Sequence, residues 1–294
     1  MLKDYIELLR PFTLLGPTIG FLAMVIVALQ SAPKIEFTSS LLIPIILGAI
    51  VIAVGNAMSN VFNQIYDLEI DRINKPARPI SSGRIGVNAA RNFGIALFIF
   101  GVVLAWFVNL QFFILGWITL LFILSYSVPP LRLKRFGLIA NITIAIPRGL
   151  FIILAGWAVV KPIVPISPEP WFIGTVLFLY VLGAATTKDF ADIKGDARYG
   201  IRTLPIMFGV KKAVYLMSPA FVVPFLLIPI GVAMGWVVGS AIWLILLALW
   251  GAYIVYLVLR NPEAMALEGN HPSWIHMYLL LMVAQIGFAI AYLV

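Results

Sequence analysis

Nine runs of about 20 mostly apolar residues constrain this chain more than any other feature of its sequence. The mean hydropathy is +1.05, and only 11% of the residues are charged, whereas soluble domains carry about 25%. The predicted fold is therefore an all-α membrane protein with nine transmembrane helices. The predicted spans are Phe12–Leu29, Leu41–Gln64, Val87–Val108, Phe112–Val128, Leu138–Val160, Trp171–Thr187, Ala213–Met234, Trp236–Leu259 and Ile275–Val294.

The positions of the basic residues support this number of spans and predict an orientation. If the N-terminus and the loops after the even-numbered spans share one side, that side holds all of the 20 Lys and Arg residues except Lys34 and Lys161. Lys and Arg collect on the cytoplasmic side of membrane proteins. We therefore expect an integral protein of the cell membrane whose N-terminus is cytoplasmic and whose C-terminus is outside. The net charge of +8 is expected to face lipid or an anionic substrate rather than nucleic acid.

A polar stripe leaves the second predicted span. Its members are separated by four, three, four and four residues, so they share one face of a helix: Asn56, Asn60, Asn63, Asp67 and Asp71. A second acidic segment with Asp189, Asp192 and Asp196 follows the sixth span. The last two aspartates of each segment align at a constant offset of 125 residues.

The repeated aspartates also suggest how the chain is organised. Four predicted spans separate the two segments, so both emerge on the same side of the membrane. The offset predicts a duplicated four-helix unit, residues 41–160 and 171–294, with the first span added, within one domain of residues 1–294. Parallel repeats of this kind place equivalent loops side by side.

Carboxylates one helical turn apart repel each other unless a cation lies between them. The chain has no cysteine, which excludes thiolate metal sites. Mg²⁺ prefers oxygen ligands and shares substrate phosphates with one or two carboxylates, so it suits both segments. The alternative is that the aspartates only pair with nearby Lys and Arg as helix ends at the membrane surface.

Basic residues follow the acidic segments in loops that proline and glycine interrupt. Lys75 and Arg78 come after the first segment, and Lys134 lies in the loop after the fourth span. Such side chains beside a magnesium site are suited to a diphosphate leaving group. Arg148 lies inside the fifth span, where an arginine is costly unless it faces a polar cavity, and Asn141 shares its face. The alternative for the loop residues is the general excess of positive charge on the cytoplasmic side.

At these residues the sequence resembles the UbiA family of intramembrane prenyltransferases. The first motif of the family, N-x-x-x-D-x-x-x-D, matches Asn63, Asp67 and Asp71, and its N-x-P-x-R-P-I-x-x-G-R continuation matches residues 74–84. The second motif, D-x-x-D-x-x-x-D, matches the segment that begins at Asp189, followed by G-I-R-T-L-P at residues 200–205. The resemblance covers nearly the whole chain.

The resemblance implies a nine-helix bundle around a central cavity that binds an allylic prenyl diphosphate and, we expect, two Mg²⁺ ions. The metal ligands would be Asn63, Asp67, Asp71, Asp189, Asp192 and Asp196. The diphosphate would contact Asn63, Lys75, Arg78, Lys134, Arg148 and Arg202. Catalysis would depend on Asp67, Asp71, Asp192 and Asp196, with Tyr126 close to the reacting carbon. The diphosphate would leave to generate an allylic carbocation, which the acceptor attacks.

The acceptor is left open at this point. A quinone-precursor ring of the menaquinone type and geranylgeranylglyceryl phosphate are both compatible with the sequence. Two other classes of membrane protein share some of these features. A secondary transporter with an acidic site on the cytoplasmic side would also use repeats, but its acids are expected near the membrane midplane. A CDP-alcohol phosphotransferase would carry a single motif that does not occur in this chain.

Overall fold

The computed structural model describes residues 2–267 and 271–294. In this part of the chain, nine helices are long and apolar enough to cross a membrane. The predicted fold class and number of spans are confirmed. From first to ninth, these spans are Phe12–Gln30, Ser39–Tyr66, Val87–Trp106, Leu110–Ser127, Gly137–Val160, Pro168–Ala191, Val210–Ala233, Gly239–Arg260 and Pro272–Leu293.

Short helices lie between and before the spans. They are Leu2–Leu9, Leu68–Asn74, Ile193–Arg198, Leu204–Phe208 and Ala264–Leu267, with a single 3-10 turn at Leu133–Arg135. The predicted break between the seventh and eighth spans is present. Gly235 in this break has a φ of +66°, a left-handed conformation that side chains with a Cβ rarely adopt.

Three spans are not continuous α-helices. The fifth consists of Gly137–Ala145, a π-helical segment Ile146–Phe151, and Ile152–Val160. The eighth begins with a 3-10 segment. The seventh is divided into Val210–Met217, Pro219–Leu226 and Ile228–Ala233, because proline removes a backbone donor and disrupts the hydrogen bonds of the preceding turn.

The fifth and sixth spans form the centre of the bundle. In the most apolar 18-residue stretch of each span, 56% of the residues of the fifth span and 61% of those of the sixth are buried, compared with 17% for the second and the third. Close approach depends on glycine. A Cβ on Gly149 would lie 2.4 Å from the Cα of Phe178 in the sixth span, and one on Gly156 would lie 2.4 Å from the carbonyl oxygen of Phe21 in the first. The fifth span is therefore held tightly on two sides, and this fixes the π-helical segment within it.

Both acidic segments have the same local structure. The second span ends at Tyr66, Asp67 forms the joint with φ −103° and ψ 10°, and a short helix follows. The sixth span ends at Ala191, Asp192 forms the joint with φ −102° and ψ 0°, and another short helix follows. The two joints, Asp67 and Asp192, are therefore structurally equivalent and lie 125 residues apart. The division of the whole chain into two four-helix repeats stays a prediction.

Candidate active site

A cavity of about 1340 Å³ lies inside the bundle. Its walls come mainly from the first six spans and the ninth. Large apolar side chains of the third, fourth and fifth spans line much of it, among them Phe98, Phe112, Trp117, Phe122 and Phe151. The acidic segments and the basic loops line its other part, where the second and sixth spans end. We call this part the polar end of the cavity.

Asp67 is surrounded by three polar groups. It accepts a hydrogen bond of 2.7 Å from the side chain of Asn63 and forms ion pairs with Lys134 and, at 3.3 Å, with Arg132. Lys134 is buried, with 5% of its surface exposed. The contact between Asp67 and Lys134 joins the end of the second span to the loop after the fourth. The structure thus brings three residues of the predicted site together.

Asp71 lies one turn further and pairs with Arg78 at 2.6 Å. Only 4% of its surface is exposed. Burial raises the pKa of Asp71, because it disfavours the charged form, while the Arg78 guanidinium opposes the rise. The short helix Leu68–Asn74 is followed at once by the loop that carries Arg78, which is why the two side chains meet.

In the second segment, Asp192 pairs with Lys75, which belongs to the loop after the first segment. Asp189 and Asp196 are buried and make no side-chain hydrogen bond or ion pair with residues 2–267 or 271–294. Burial, and then the negative charge of Asp192, raise the pKa of Asp196 to about 6. This segment has fewer positive partners than the first.

Asn74 joins the two acidic segments directly. Its amide nitrogen donates to the carbonyl oxygen of Asp192 at 2.9 Å, and its amide oxygen accepts from the backbone N–H of Gly195 at 2.8 Å. A Cβ on Gly195 would lie 2.6 Å from the amide nitrogen of Asn74. The separation of the two short helices therefore depends on one asparagine and on the absence of a side chain opposite it.

Tyr126 lines the cavity near the end of the fourth span. The ammonium of Lys188 donates a hydrogen bond of 2.7 Å to its hydroxyl and lies 4.9 Å from the centre of its ring. Lys188 precedes Asp189 in the sixth span. The contact fixes the position of the Tyr126 ring beside the second acidic segment.

Arg148 and Arg10 also line the cavity. Arg148 belongs to the π-helical segment of the fifth span, and Arg10 lies between the N-terminal helix and the first span with a φ of 55°. Neither guanidinium makes a hydrogen bond or ion pair within the described part of the chain. Asn141, predicted to share the face of Arg148, donates to Thr186 at 2.7 Å instead.

Arg202 is not brought to the cavity. Its side chain is exposed, and its backbone N–H donates to the carbonyl oxygen of Arg135 at 3.1 Å as part of a bridge with Phe136. The neighbouring Thr203 lines the cavity instead. Alternate residues of an extended segment point to opposite sides, so the bridge that binds residue 202 turns its side chain outward. The structure gives no support to a diphosphate contact by Arg202.

Reasoning from the sequence passed over three residues that now belong to the site. Asn74, Arg132 and Lys188 contact the predicted aspartates or Tyr126. Lys188 carried a signal, since a lysine at the end of an apolar span is costly without a polar neighbour. Asn74 carried one as well, because it is the first residue of the N-x-P-x-R-P-I-x-x-G-R continuation, whereas the contact of Arg132 with Asp67 joins residues that are distant in sequence.

The acidic side chains fit Mg²⁺ only with help from a ligand. Among residues 2–267 and 271–294, no three acidic or histidine side chains lie close enough together to form a metal site by themselves. Mg²⁺ requires fewer, because substrate phosphates and water complete its six oxygen ligands. Each segment supplies carboxylates alone, with no sulfur or imidazole, so the donor set suits Mg²⁺ together with a diphosphate. The structure also contains the ion pairs that the alternative interpretation expects.

The fold and the site define an integral membrane enzyme whose cavity is largely apolar inside the bundle and charged at the polar end. The model of the UbiA prenyltransferase family matches residues 19–268, and the chain belongs to this family of prenyltransferases. The digeranylgeranylglyceryl phosphate synthase of Thermococcus kodakarensis is 31% identical over 300 aligned residues, which cover 99% of both chains.

Solved structures agree with this assignment. A structure of a digeranylgeranylglyceryl phosphate synthase superposes with a TM-score of 0.71 at 28% identity, over 99% of this chain and 98% of the other. A UbiA homologue from Archaeoglobus fulgidus, solved with DMAPP and Mg²⁺, superposes with a TM-score of 0.75 at 20% identity, over 98% of both chains. At this lower identity the likeness shows that the fold is shared.

Proposed function

We propose that this enzyme transfers a prenyl group from an allylic prenyl diphosphate to the free hydroxyl of geranylgeranylglyceryl phosphate. The observation that carries the proposal is the meeting of two aspartate-bearing helix ends at the polar end of a largely apolar cavity. The acceptor is chosen over a quinone-precursor ring because full-length relatives are named digeranylgeranylglyceryl phosphate synthases.

The diphosphate binds at the polar end of the cavity. Four aspartates, Asp67, Asp71, Asp192 and Asp196, would hold Mg²⁺, for which we expect two ions, with Asn63 and Asp189 as further oxygen donors. When bound, Mg²⁺ neutralises the charge of the diphosphate and makes it a better leaving group. The chain's own contribution is the spacing of its carboxylates, which the bridge through Asn74 maintains.

Three cations exchange partners during the reaction. In the empty site Asp192 pairs with Lys75, Asp71 pairs with Arg78 and Asp67 pairs with Lys134. With Mg²⁺ bound at the aspartates, the same ammonium and guanidinium groups would be free to bind diphosphate oxygens. The polar end thus carries nearly balanced charge in both states, which limits the cost of burying so many ionised groups.

The transfer breaks the bond between the first carbon of the prenyl chain and the ester oxygen that joins it to the diphosphate, and the electron pair of this bond leaves with the diphosphate. The acceptor's hydroxyl oxygen forms the new bond to the resulting allylic cation, and its proton passes to the released diphosphate. The apolar walls keep water from the cation. Lys188 holds the Tyr126 ring beside the polar end, where it faces the reacting carbon.

The orientation follows from the positive charges. The basic loops surround the polar end, so this end faces the cytoplasm, where soluble prenyl diphosphates are available. The N-terminus is then cytoplasmic and the C-terminus lies on the other side.

The test is prenyl transfer by purified enzyme in lipid nanodiscs. Labelled geranylgeranyl diphosphate is supplied with geranylgeranylglyceryl phosphate or with a quinone-precursor ring, in Mg²⁺ and in EDTA. We expect Mg²⁺-dependent product with the glyceryl phosphate acceptor alone, and loss of product in Asp67→Asn and Asp192→Asn. Glu69→Gln is the matched control, because Glu69 lies on the same short helix as Asp71 but pairs with Arg72 at the surface.

If product forms only from the quinone precursor, the proposed acceptor is wrong, while prenyl transfer itself is supported. Full activity of both aspartate variants would show that the ion pairs are structural and that the acidic segments do not bind the metal.

A further inference from the structure

Lys188 of the cavity donates to the hydroxyl of Tyr126, and the other five positive side chains of the cavity fall into two groups. Lys75, Arg78 and Lys134 each pair with an aspartate of the acidic segments. Arg10 and Arg148 face the same cavity and have no such partner within residues 2–267 and 271–294. The charges of the first group are accounted for by the aspartates and the diphosphate; those of the second are not.

The position of Arg148 is set by the fold. It lies in the π-helical segment, between Pro147 and Gly149, and Gly149 packs directly against the backbone of Phe178. This close packing seats the segment against the sixth span, and Arg148 lines the cavity. An arginine inside a span is costly unless it meets a polar or anionic group. No aspartate supplies that group, which leaves a ligand.

Arg10 lines the cavity from the junction between the N-terminal helix and the first span. Its φ of 55° is unusual for a residue with a side chain and is maintained where the N-terminal helix turns into the first span. Burial, and then the nearby charge of Arg78, lower the pKa of Arg10, and the charge of Arg148 contributes in the same direction. Arg10 and Arg148 are thus within electrostatic range of each other, and an anion bound in the cavity would reduce the repulsion between them.

We propose that Arg10 and Arg148 form the subsite for the phosphate of the acceptor lipid, separate from the aspartates and lysines that bind the donor diphosphate. This inference rests on the proposed function, because it requires an acceptor that carries a phosphate. It also replaces the diphosphate role that the sequence suggested for Arg148.

The chemistry of a glyceryl phosphate explains why this subsite must lie so close to the donor. Its attacking hydroxyl and its phosphate are on the same three-carbon unit, so the phosphate comes near the diphosphate when the hydroxyl reaches the first prenyl carbon. Two anions at that distance repel each other unless positive charge lies between them. Arg10 lies within electrostatic range of both Arg78 and Arg148, so its positive charge is near both parts of the cavity.

The depth of Arg148 agrees with this assignment. The donor's cations lie in loops at the polar end, whereas Arg148 is inside the fifth span, in electrostatic range of Tyr126 and Lys188. A hydroxyl that attacks the carbon from which the diphosphate departs is best placed on the far side of that carbon. A phosphate bound by Arg148 holds the hydroxyl there.

The experiment compares two acceptors, geranylgeranylglyceryl phosphate and geranylgeranylglycerol, which lacks the phosphate. Steady-state kinetics are measured for the wild type and for Arg148→Gln, Arg10→Gln and Arg148→Lys, with acceptor and donor varied in turn. We expect the glutamine variants to raise the acceptor KM about 10- to 100-fold, the effect of losing a charge-assisted hydrogen bond, with little change in the donor KM. Their preference for the phosphorylated acceptor should fall by the same factor. Arg148→Lys should recover part of it.

Arg91→Gln is the matched control, since Arg91 is exposed on the third span and does not line the cavity. Binding of geranylgeranylglyceryl phosphate without donor, measured by calorimetry, gives a readout that does not need turnover. A thermal unfolding temperature equal to that of the wild type shows that each variant is folded; if Arg148→Gln does not fold, Arg10→Gln and Arg148→Lys carry the test.

The possible failures differ. If the wild type makes no product from geranylgeranylglyceryl phosphate, the proposed function is wrong. If the wild type makes product but the variants raise the donor KM and keep their preference for the phosphorylated acceptor, the arginines bind the diphosphate and the subsite is wrong.

Discussion

The bridge between the acidic segments can be tested by removing it from either side. Asn74→Ala deletes the two hydrogen bonds to the backbone at Asp192 and Gly195. Gly195→Ala keeps Asn74 but introduces a Cβ that would lie 2.6 Å from its amide nitrogen and 2.7 Å from its amide oxygen. The asparagine side chain is short and held at both ends, so it cannot accept the methyl group without breaking the bridge. Both changes should let the short helices separate.

The size of the effect follows from the hydrogen bonds. Each contributes a net of about 0.5–1.5 kcal/mol, so the bridge as a whole is worth about 1–3 kcal/mol. If this energy is lost from the aligned arrangement of the carboxylates, kcat should fall about 5- to 150-fold. Because Asn74 does not react itself, we expect the Mg²⁺ concentration for half-maximal rate to rise as well.

The assay is Mg²⁺ titration of prenyl transfer in Asn74→Ala, Gly195→Ala and the double variant. The atoms that a Cβ on Gly195 would overlap all belong to the Asn74 side chain and are absent in Asn74→Ala. Gly195→Ala should therefore reduce kcat little in the Asn74→Ala background. Contacting residues of this kind give a double-mutant cycle that is not additive. Gly86→Ala is the control, since a Cβ there meets no atom within 4 Å.

Two results would refute the reasoning. Additive effects would mean that each change acts through some other contact. A loss of rate with an unchanged Mg²⁺ dependence would mean that the bridge does not set the carboxylate spacing.

Three further predictions concern charge, pH and packing. Lys134→Met should weaken donor binding at least about tenfold, because it breaks the buried ion pair with Asp67 and removes a cation that we assign to the diphosphate. Lys194→Met, at an exposed position, should not weaken it. Isothermal titration with a prenyl diphosphate measures both variants. Because the folded pKa of Asp196 is raised from 3.8 to about 6, its contribution to stability is present below pH 4 and lost as the pH rises through 6. In EDTA, Asp196→Asn should therefore increase the free energy of unfolding at pH 8 by on the order of 3 kcal/mol, seen as a higher Tm, and should hardly change it at pH 4. Equal gains at both pH values would contradict the burial of an ionised carboxylate. Gly149→Ala should cost about 1–3 kcal/mol, seen as a lower Tm, because its Cβ would overlap the backbone of the sixth span, while Gly116→Ala, with open space, should not.

The balance of charge at the polar end links these experiments. In the empty site the acidic segments are neutralised partly by cations that come from other parts of the chain. A variant that removes such a cation has two consequences: it leaves an aspartate unpaired and it removes a group that binds the diphosphate. Stability and donor binding should therefore be measured together for each of them.

Much of the architecture could be predicted from local patterns. Apolar runs long enough to cross a bilayer predicted all nine spans that the structure describes, because hydrophobic length is a property of each segment by itself. The helical spacing of Asn63, Asp67 and Asp71 likewise predicted that they share a face, and the structure places all three at the cavity. The family followed from the two motifs.

The partners of these side chains could not be predicted from the sequence. Lys75 meets Asp192 across 117 residues and Lys134 meets Asp67 across 67, and both contacts exist only because separate spans end at the same place. The same packing turns Arg202 away from the cavity and leaves Arg148 facing it with no hydrogen bond or ion pair to residues 2–267 or 271–294. Composition and periodicity determine which segments enter the membrane and which face is polar, since these depend on neighbouring residues alone. The pairing of charges depends on distances between segments, and only the packed bundle decides those.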